Sequence, residues 1–202
     1  RTHPARARPA RRRGALGLRV LVVGTTLWLY RDSYRRYLER PTILAWIVGV
    51  TVGVVWLLPI PGSPTPEDVV PPGEGWPAWA TVGWIVARCL GAVVVIPLCE
   101  EFAFRGYLVR WLTKRDFWEV SFGQISLTAI VVSSAAFGLL HDRFVLATIT
   151  GVVYALLLRR THRMVDAVVA HAAGRAARVL QVIPGNMRAA DTGADIGRDL
   201  LV

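Results

Sequence analysis

Lysine is almost missing from this chain: Lys114 stands alone, so the formal charge of +10 is carried by arginine. Charge of either sign is sparse. Charged residues make up 19% and hydrophobic residues 53%, against about 25% charged in an ordinary soluble domain. Cysteine is limited to Cys89 and Cys99, both in one apolar stretch. Ten residues apart on a helix, they lie about 15 Å from each other, which excludes a bridge between them. They read as small buried hydrophobes. Asparagine occurs once, at Asn186. There is no His-Glu-x-x-His, no Gly-x-Ser-x-Gly, no glycine-rich phosphate loop and no Cys-x-x-Cys. These absences exclude the usual soluble zinc-protease motif, the serine-hydrolase elbow, a phosphate-loop nucleotide site and dithiol redox chemistry.

What the chain has instead is uncharged length. Residues 42–58, 124–140 and 144–158 carry no charge, and 89–99 extend another apolar stretch. Several such runs are hard to bury in one soluble core, and a bilayer is the simpler solvent. In lipid the backbone must satisfy itself, and without barrel-type alternation that means helix. The expected fold is therefore all-α, a polytopic transmembrane bundle of about six spans. Their expected places are about 15–30, 42–60, 78–99, 124–141, 143–158 and 164–183, with a mixed helical stretch from 100 to about 118. Residues 1–13, with six arginines and two prolines, are expected to form a disordered tail. The membrane domain then covers 14–183, and a polar tail follows from Pro184 to 202.

The linkers 31–41, 105–119 and 159–163 are basic, whereas 61–77 is acidic and lacks a basic residue. Alternating spans put the three basic linkers on one face, which the positive-inside rule makes cytoplasmic. The expected location is thus the cell inner (plasma) membrane, crossed several times. The arginines of 1–13 disturb this scheme if 15–30 crosses fully, and a different natural beginning of the chain is the expected cause. A basic tail also raises binding to nucleic acid or anionic lipid. The other arginines flank apolar runs, as topology signals do, so no nucleic-acid partner is expected. Gly49, Gly53, Ala135, Ala136 and Gly138 permit close helix packing. They serve a monomer or a dimer equally and leave the oligomeric state open.

Chemistry concentrates at Pro-Leu-Cys-Glu-Glu-Phe-Ala-Phe-Arg-Gly-Tyr-Leu, residues 97–108. Two carboxylates at the membrane end of an apolar run are expensive to bury, and intramembrane ionisable groups are functional candidates by default. Glu101 and Arg105 stand four apart and can pair on a helix. Glu100 points about 100° away and can address another partner. A carboxylate tuned by burial suits the removal of a proton from water. His141 lies one turn after Phe137 at the end of an uncharged run, and His171 lies deep in the last apolar stretch. A lone histidine at a helix end is more often a cap, and a lone core histidine is more often a satisfied one. His162, among Arg159, Arg160 and Arg163, reads as a solvated linker residue.

Taken together, Glu-Glu-x-x-x-Arg, Phe-x-x-x-His and a later His, each on an apolar helix, resemble the CAAX prenyl protease and bacteriocin-processing family of intramembrane metalloproteases. The resemblance covers about residues 42–173. Within the family it is most similar to the bacterial branch found with exosortase protein-sorting systems. It implies a helical bundle that hydrolyses a peptide bond near the membrane surface, in a peptide or membrane-protein substrate. It also assigns roles by position. Glu100 would activate water, and Glu101 and Arg105 would be the supporting pair. His141 and His171 would either bind a divalent metal such as Zn2+, together with Glu100, or steady the oxyanion.

One departure stands out. The family's third motif places asparagine four residues after the histidine, where this chain has Arg175. A fixed positive charge there would repel a metal and reshape the pocket. Arg178 adds a second charge to the same expected span, at about 2.5 kcal/mol near the bilayer centre. The alternative expectation is a catalytically impaired member that binds a partner or confers self-immunity. A geometric difficulty follows from the expected spans as well. Full crossings would separate Glu100 and His141 by roughly 25 Å, unless 97–118 dips into the bundle, with a break near Pro97, or the short spans stagger.

Overall fold

The structure is a computed structural model and describes residues 21–37, 39–58 and 77–191. Among these residues every regular element is helical. Helix α1 (21–29) leads through a turn at Arg31–Tyr34 and a 3-10 turn at Arg35–Tyr37. Then follow α2 (Ile43–Leu57), α3 (78–113), α4 (Leu127–Gly138), α5 (Phe144–Thr161) and α6 (Met164–Asp191). The expected tail 1–13 lies outside the described residues, as does all of the acidic loop 61–77 except Pro77.

Helix α3 departs most from the expected scheme. The expected span 78–99 does not stop before Glu100 but continues to Thr113, and Pro97 causes no break. A π turn at Gly91–Val95 sits just ahead of that proline, and such widening gives a proline ring room beside the preceding turn. A second π turn covers Phe102–Leu108. The helix runs on because its arginines are taken inside rather than left in a linker. Arg105 is buried, and so is Arg110, whose guanidinium donates to Val120 O at 2.8 Å and Trp118 O at 3.2 Å. The basic linker expected at 105–119 therefore begins only at Lys114. Helix α6 likewise passes Pro184 and reaches Asp191, so the expected boundary of the polar tail falls within a helix. Met187, Arg188, Ala189 and Ala190 favour that continuation.

Helices α2 and α6 form the tightest pair. Buried Asp166, in the first turn of α6, accepts from the backbone N–H and the hydroxyl of Thr42, each at 2.8 Å. One carboxylate thus satisfies the entry to α2 from the entry to α6. From that anchor the two helices run parallel. Gly49 faces Ala170 and Ala173, and Gly53 faces Gly174 and Ala177. Small residues four apart let the backbones approach, as in membrane helix pairs. At the other end, Arg143 donates to Trp56 O at 3.1 Å and closes a carbonyl of the last turn of α2.

The basic segments gather at one end, as expected. Arg163 donates to Arg40 O at 3.0 Å and faces Glu39. Ser126 N–H donates to the Thr113 hydroxyl at 3.2 Å, tying the end of α3 to the start of α4. His162 is exposed but is not a plain linker residue. It closes α5 in the left-handed region at φ 60°, and its ring lies against Gly123.

The outer surface is apolar. Within Val82–Thr113 the most apolar window has a mean hydropathy of 2.1 with 11% of it buried, and within Phe144–Thr161 the values are 1.4 and 39%. Trp79, Val82, Val131, Leu139 and Val145 are all exposed. A soluble core helix would turn such residues inward, so this exposed apolar surface is suited to lipid. These two helices are long and apolar enough to cross a membrane. Helix α4, with 12 residues, reaches only about 18 Å.

Gly49 sets a packing prediction. A Cβ there would stand 2.5 Å from Ala170 O, whereas one at Gly83 meets nothing within 4 Å. Gly49→Val should destabilise the detergent-solubilised protein by about 1–3 kcal/mol, and Gly83→Ala should be neutral or slightly stabilising. Thermal unfolding of both variants checks this.

Candidate active site

Because α3 continues past the paired glutamates, Glu100 and Glu101 lie in mid-helix rather than at its end. Glu101 points into the bundle and has no exposed surface. Its Oε2 lies 3.2 Å from Arg105 Nε, one turn on, with Arg105 equally buried. Its Oε1 accepts from His171 Nδ1 at 2.9 Å. Arg105 continues the chain of contacts: Nη2 donates to Gly151 O of α5 at 3.1 Å, and its guanidinium stacks 4.5 Å from the ring of Phe137 on α4. One buried ion pair therefore touches α4, α5 and α6 at once. The expected i,i+4 pairing is present in the structure.

Glu100 is expected to address another partner, but both glutamates converge on His171. Glu100 Oε2 is 3.6 Å from His171 Nε2 and, though buried, has no hydrogen-bond partner among the described residues. His171 thus stands between two carboxylates and holds the second through Nδ1. That contact leaves Nε2 directed toward Glu100. His141 is arranged in the same sense: its Nδ1 donates to Phe137 O at 2.9 Å, so its Nε2 is the nitrogen left for chemistry.

His141 and His171 line one cavity of about 30 Å3, together with Val52, Trp56, Phe137, Thr150, Tyr154, Gly174 and Arg175. That volume holds a water or two. The expected 25 Å separation does not arise. Glu100 sits in the middle of a long helix and His141 follows a short one, so staggered helices bring the motifs to one level. Arg175 also faces this cavity, and its Nε donates to Ala92 O at 2.7 Å.

Three lining residues carry no signal in the motifs. Tyr154 stacks on His171 with ring centroids 5.2 Å apart, Trp56 lies 6.3 Å from His141, and Trp56 Nε1 donates to Thr150 Oγ1 at 2.9 Å. Tyr154 is the one polar aromatic of the uncharged run 144–158, which could have marked it. Metal binding by Glu100, His141 and His171 finds no support in their placement. Among the described residues no three His, Cys, Asp or Glu side chains group closely enough to hold an ion.

Residues 82–176 match the model of a protein family described as Type II CAAX prenyl endopeptidase Rce1-like. The matched segment contains Glu100, Glu101, Arg105, His141, His171 and Arg175, so the resemblance seen in the motifs holds over it. The match is to that family and singles out no branch linked to exosortase systems. Neither the curated proteins nor the solved structures provide a match.

The buried pair and an exposed one should respond differently to truncation. Arg105→Met leaves the Glu101 charge without its cation, a loss of about 3–5 kcal/mol for a buried pair. Lys114 and Glu119 also pair, but both are exposed. Their hydrogen bond, and then their charges, raise the Lys114 pKa and lower that of Glu119. Lys114→Met should leave the unfolding midpoint in detergent almost unchanged, while Arg105→Met should lower it sharply.

Proposed function

We propose that this chain is an intramembrane endopeptidase that cleaves a peptide bond near the membrane surface with a water activated by Glu100. The single observation that carries the reading is the unpartnered Glu100 carboxylate held beside His171. Its neighbour Glu101 is meanwhile ion-paired with Arg105 through Oε2 and hydrogen-bonded to His171 Nδ1 through Oε1. The family match over residues 82–176 supports protease chemistry. The roles of individual residues are this reading's own.

In this reading Glu100, reached from the cavity past His171 Nε2 at 3.6 Å, takes a proton from a water as the water oxygen attacks the peptide carbonyl carbon. Negative charge develops on the carbonyl oxygen, and polar groups lining the cavity would lower its energy. When the tetrahedral species collapses, the C–N bond breaks and Glu100 returns its proton to the departing amine. Glu101 and Arg105 act by holding His171 in one orientation. Phe137 and Tyr154 exclude bulk water on either side of it, which strengthens each charge contact.

The bundle is read as a multi-pass protein of the cell inner membrane, with about six helical segments and the basic end in the cytoplasm. Glu100 lies thirteen residues before Thr113, about 20 Å from that end along α3. In a bilayer core of about 30 Å the site is then nearer the opposite face. A peptide or membrane-protein substrate would enter from that side. The family description makes a prenylated C-terminal peptide the natural probe. A second reading, an impaired member that binds a partner or protects against a secreted peptide, is favoured by Arg175 at the place of the family's asparagine.

The test uses purified full-length chain in micelles with a fluorogenic peptide ending in a prenylated cysteine. Wild type should cleave it, and Glu100→Gln and His141→Ala should each lose about 10²–10⁴ of the rate with unfolding midpoints retained. Equal cleavage by all three proteins would contradict this mechanism, and no cleavage by wild type would favour the second reading.

A further inference from the structure

Helix α3 has a carbonyl that its own backbone does not satisfy. In an α-helix Ala92 O would accept from the N–H of Ile96, but that N–H is given to Gly91 O, one residue earlier, in the π turn. In continued π geometry Ala92 O would accept from residue 97, and residue 97 is proline, which has no N–H. Both intrahelical donors are thus unavailable. A carbonyl left in this state is costly where water does not reach it, and Ala92 is partly buried. The missing donor arrives from another helix: Arg175 Nε of α6 donates to Ala92 O at 2.7 Å.

We infer that Arg175 is a positioning residue, supplying from α6 the hydrogen bond that Pro97 withholds from α3 and so holding the Glu100 turn against the His171 turn. Glu100 follows Pro97 by three residues, and His171 precedes Arg175 by four on the helix of origin. The clasp and the Glu101–His171 contact are therefore two links between the same pair of helices, nine residues apart along α3 and four along α6. This gives the arginine at the asparagine position a role that needs no contact with substrate. Its effect on cleavage rests on the peptidase reading, whereas its effect on folding does not.

Side-chain geometry makes the donor separable from the charge. Gln Nε2 occupies the place of Arg Nε, with a donor and no charge. Met Cε occupies the same place with neither. Arg175→Met should lower the unfolding midpoint of the full chain in detergent, and should cut kcat on the fluorogenic prenyl-cysteine peptide about tenfold with KM unchanged. Arg175→Gln should keep both values close to wild type. Pro97→Ala restores a backbone N–H to α3, so Arg175→Met combined with Pro97→Ala should recover both midpoint and kcat. A Gln variant as impaired as the Met variant, or a double variant no better than Arg175→Met alone, would overturn the clasp. If wild type cleaves nothing, the peptidase reading fails, and the order of the midpoints still decides for or against this inference.

Discussion

A carboxylate stays ionised away from water only if cations and donors replace its hydration, and Glu101 is placed under that demand with none of its surface exposed. Burying such an ion costs several kcal/mol, which Coulomb attraction offsets only in good geometry. Here the offset comes from four helices. Arg105 approaches from one turn along α3, His171 donates from α6, and Arg105 is itself held by the Gly151 carbonyl of α5 and the Phe137 face of α4. Each partner is costly to remove, so the elements that carry them are not free to slide. Breaking one contact would leave a charge unpaired inside the bundle.

That constraint sets up the candidate site. With Nδ1 of His171 committed to Glu101, Nε2 is the nitrogen that meets Glu100, whose buried Oε2 has no hydrogen-bond partner among the described residues. The two adjacent glutamates thus meet different nitrogens of one imidazole, Glu101 at Nδ1 and Glu100 at Nε2. The close approach of α2 and α6 through Gly49 and Gly53 fixes the depth of His171 and brings Trp56 to the cavity wall. Packing of small residues and pairing of buried charges act on the same helix, α6, from two sides.

Much of this was legible in the sequence. Uncharged runs marked the helices, the four-residue spacing of Glu101 and Arg105 marked their pairing, and the motifs named the histidines that share the cavity. The course of α3 was not legible, because arginine in an apolar stretch reads as the end of a span. Arg105 and Arg110 turn inward to carbonyls from Gly151, Val120 and Trp118, and partners so distant along the chain leave no local pattern. Pro97 misled for a related reason, since the π turn that accommodates it depends on a donor from α6. Tyr154 and Trp56 reach the site through tertiary packing, which periodicity does not record.

The link between Glu101 and His171 is the part of the account on which the rest depends, and nuclear magnetic resonance of 15N-histidine-labelled protein reads it directly. The account predicts that Nδ1 of His171, identified by its loss in a His171→Gln variant, carries a proton and shows the shift of a carboxylate hydrogen bond. That shift should change when Glu101 becomes Gln, with the His141 signal unaffected. A His171 spectrum indifferent to residue 101, or one with Nδ1 unprotonated, would contradict it.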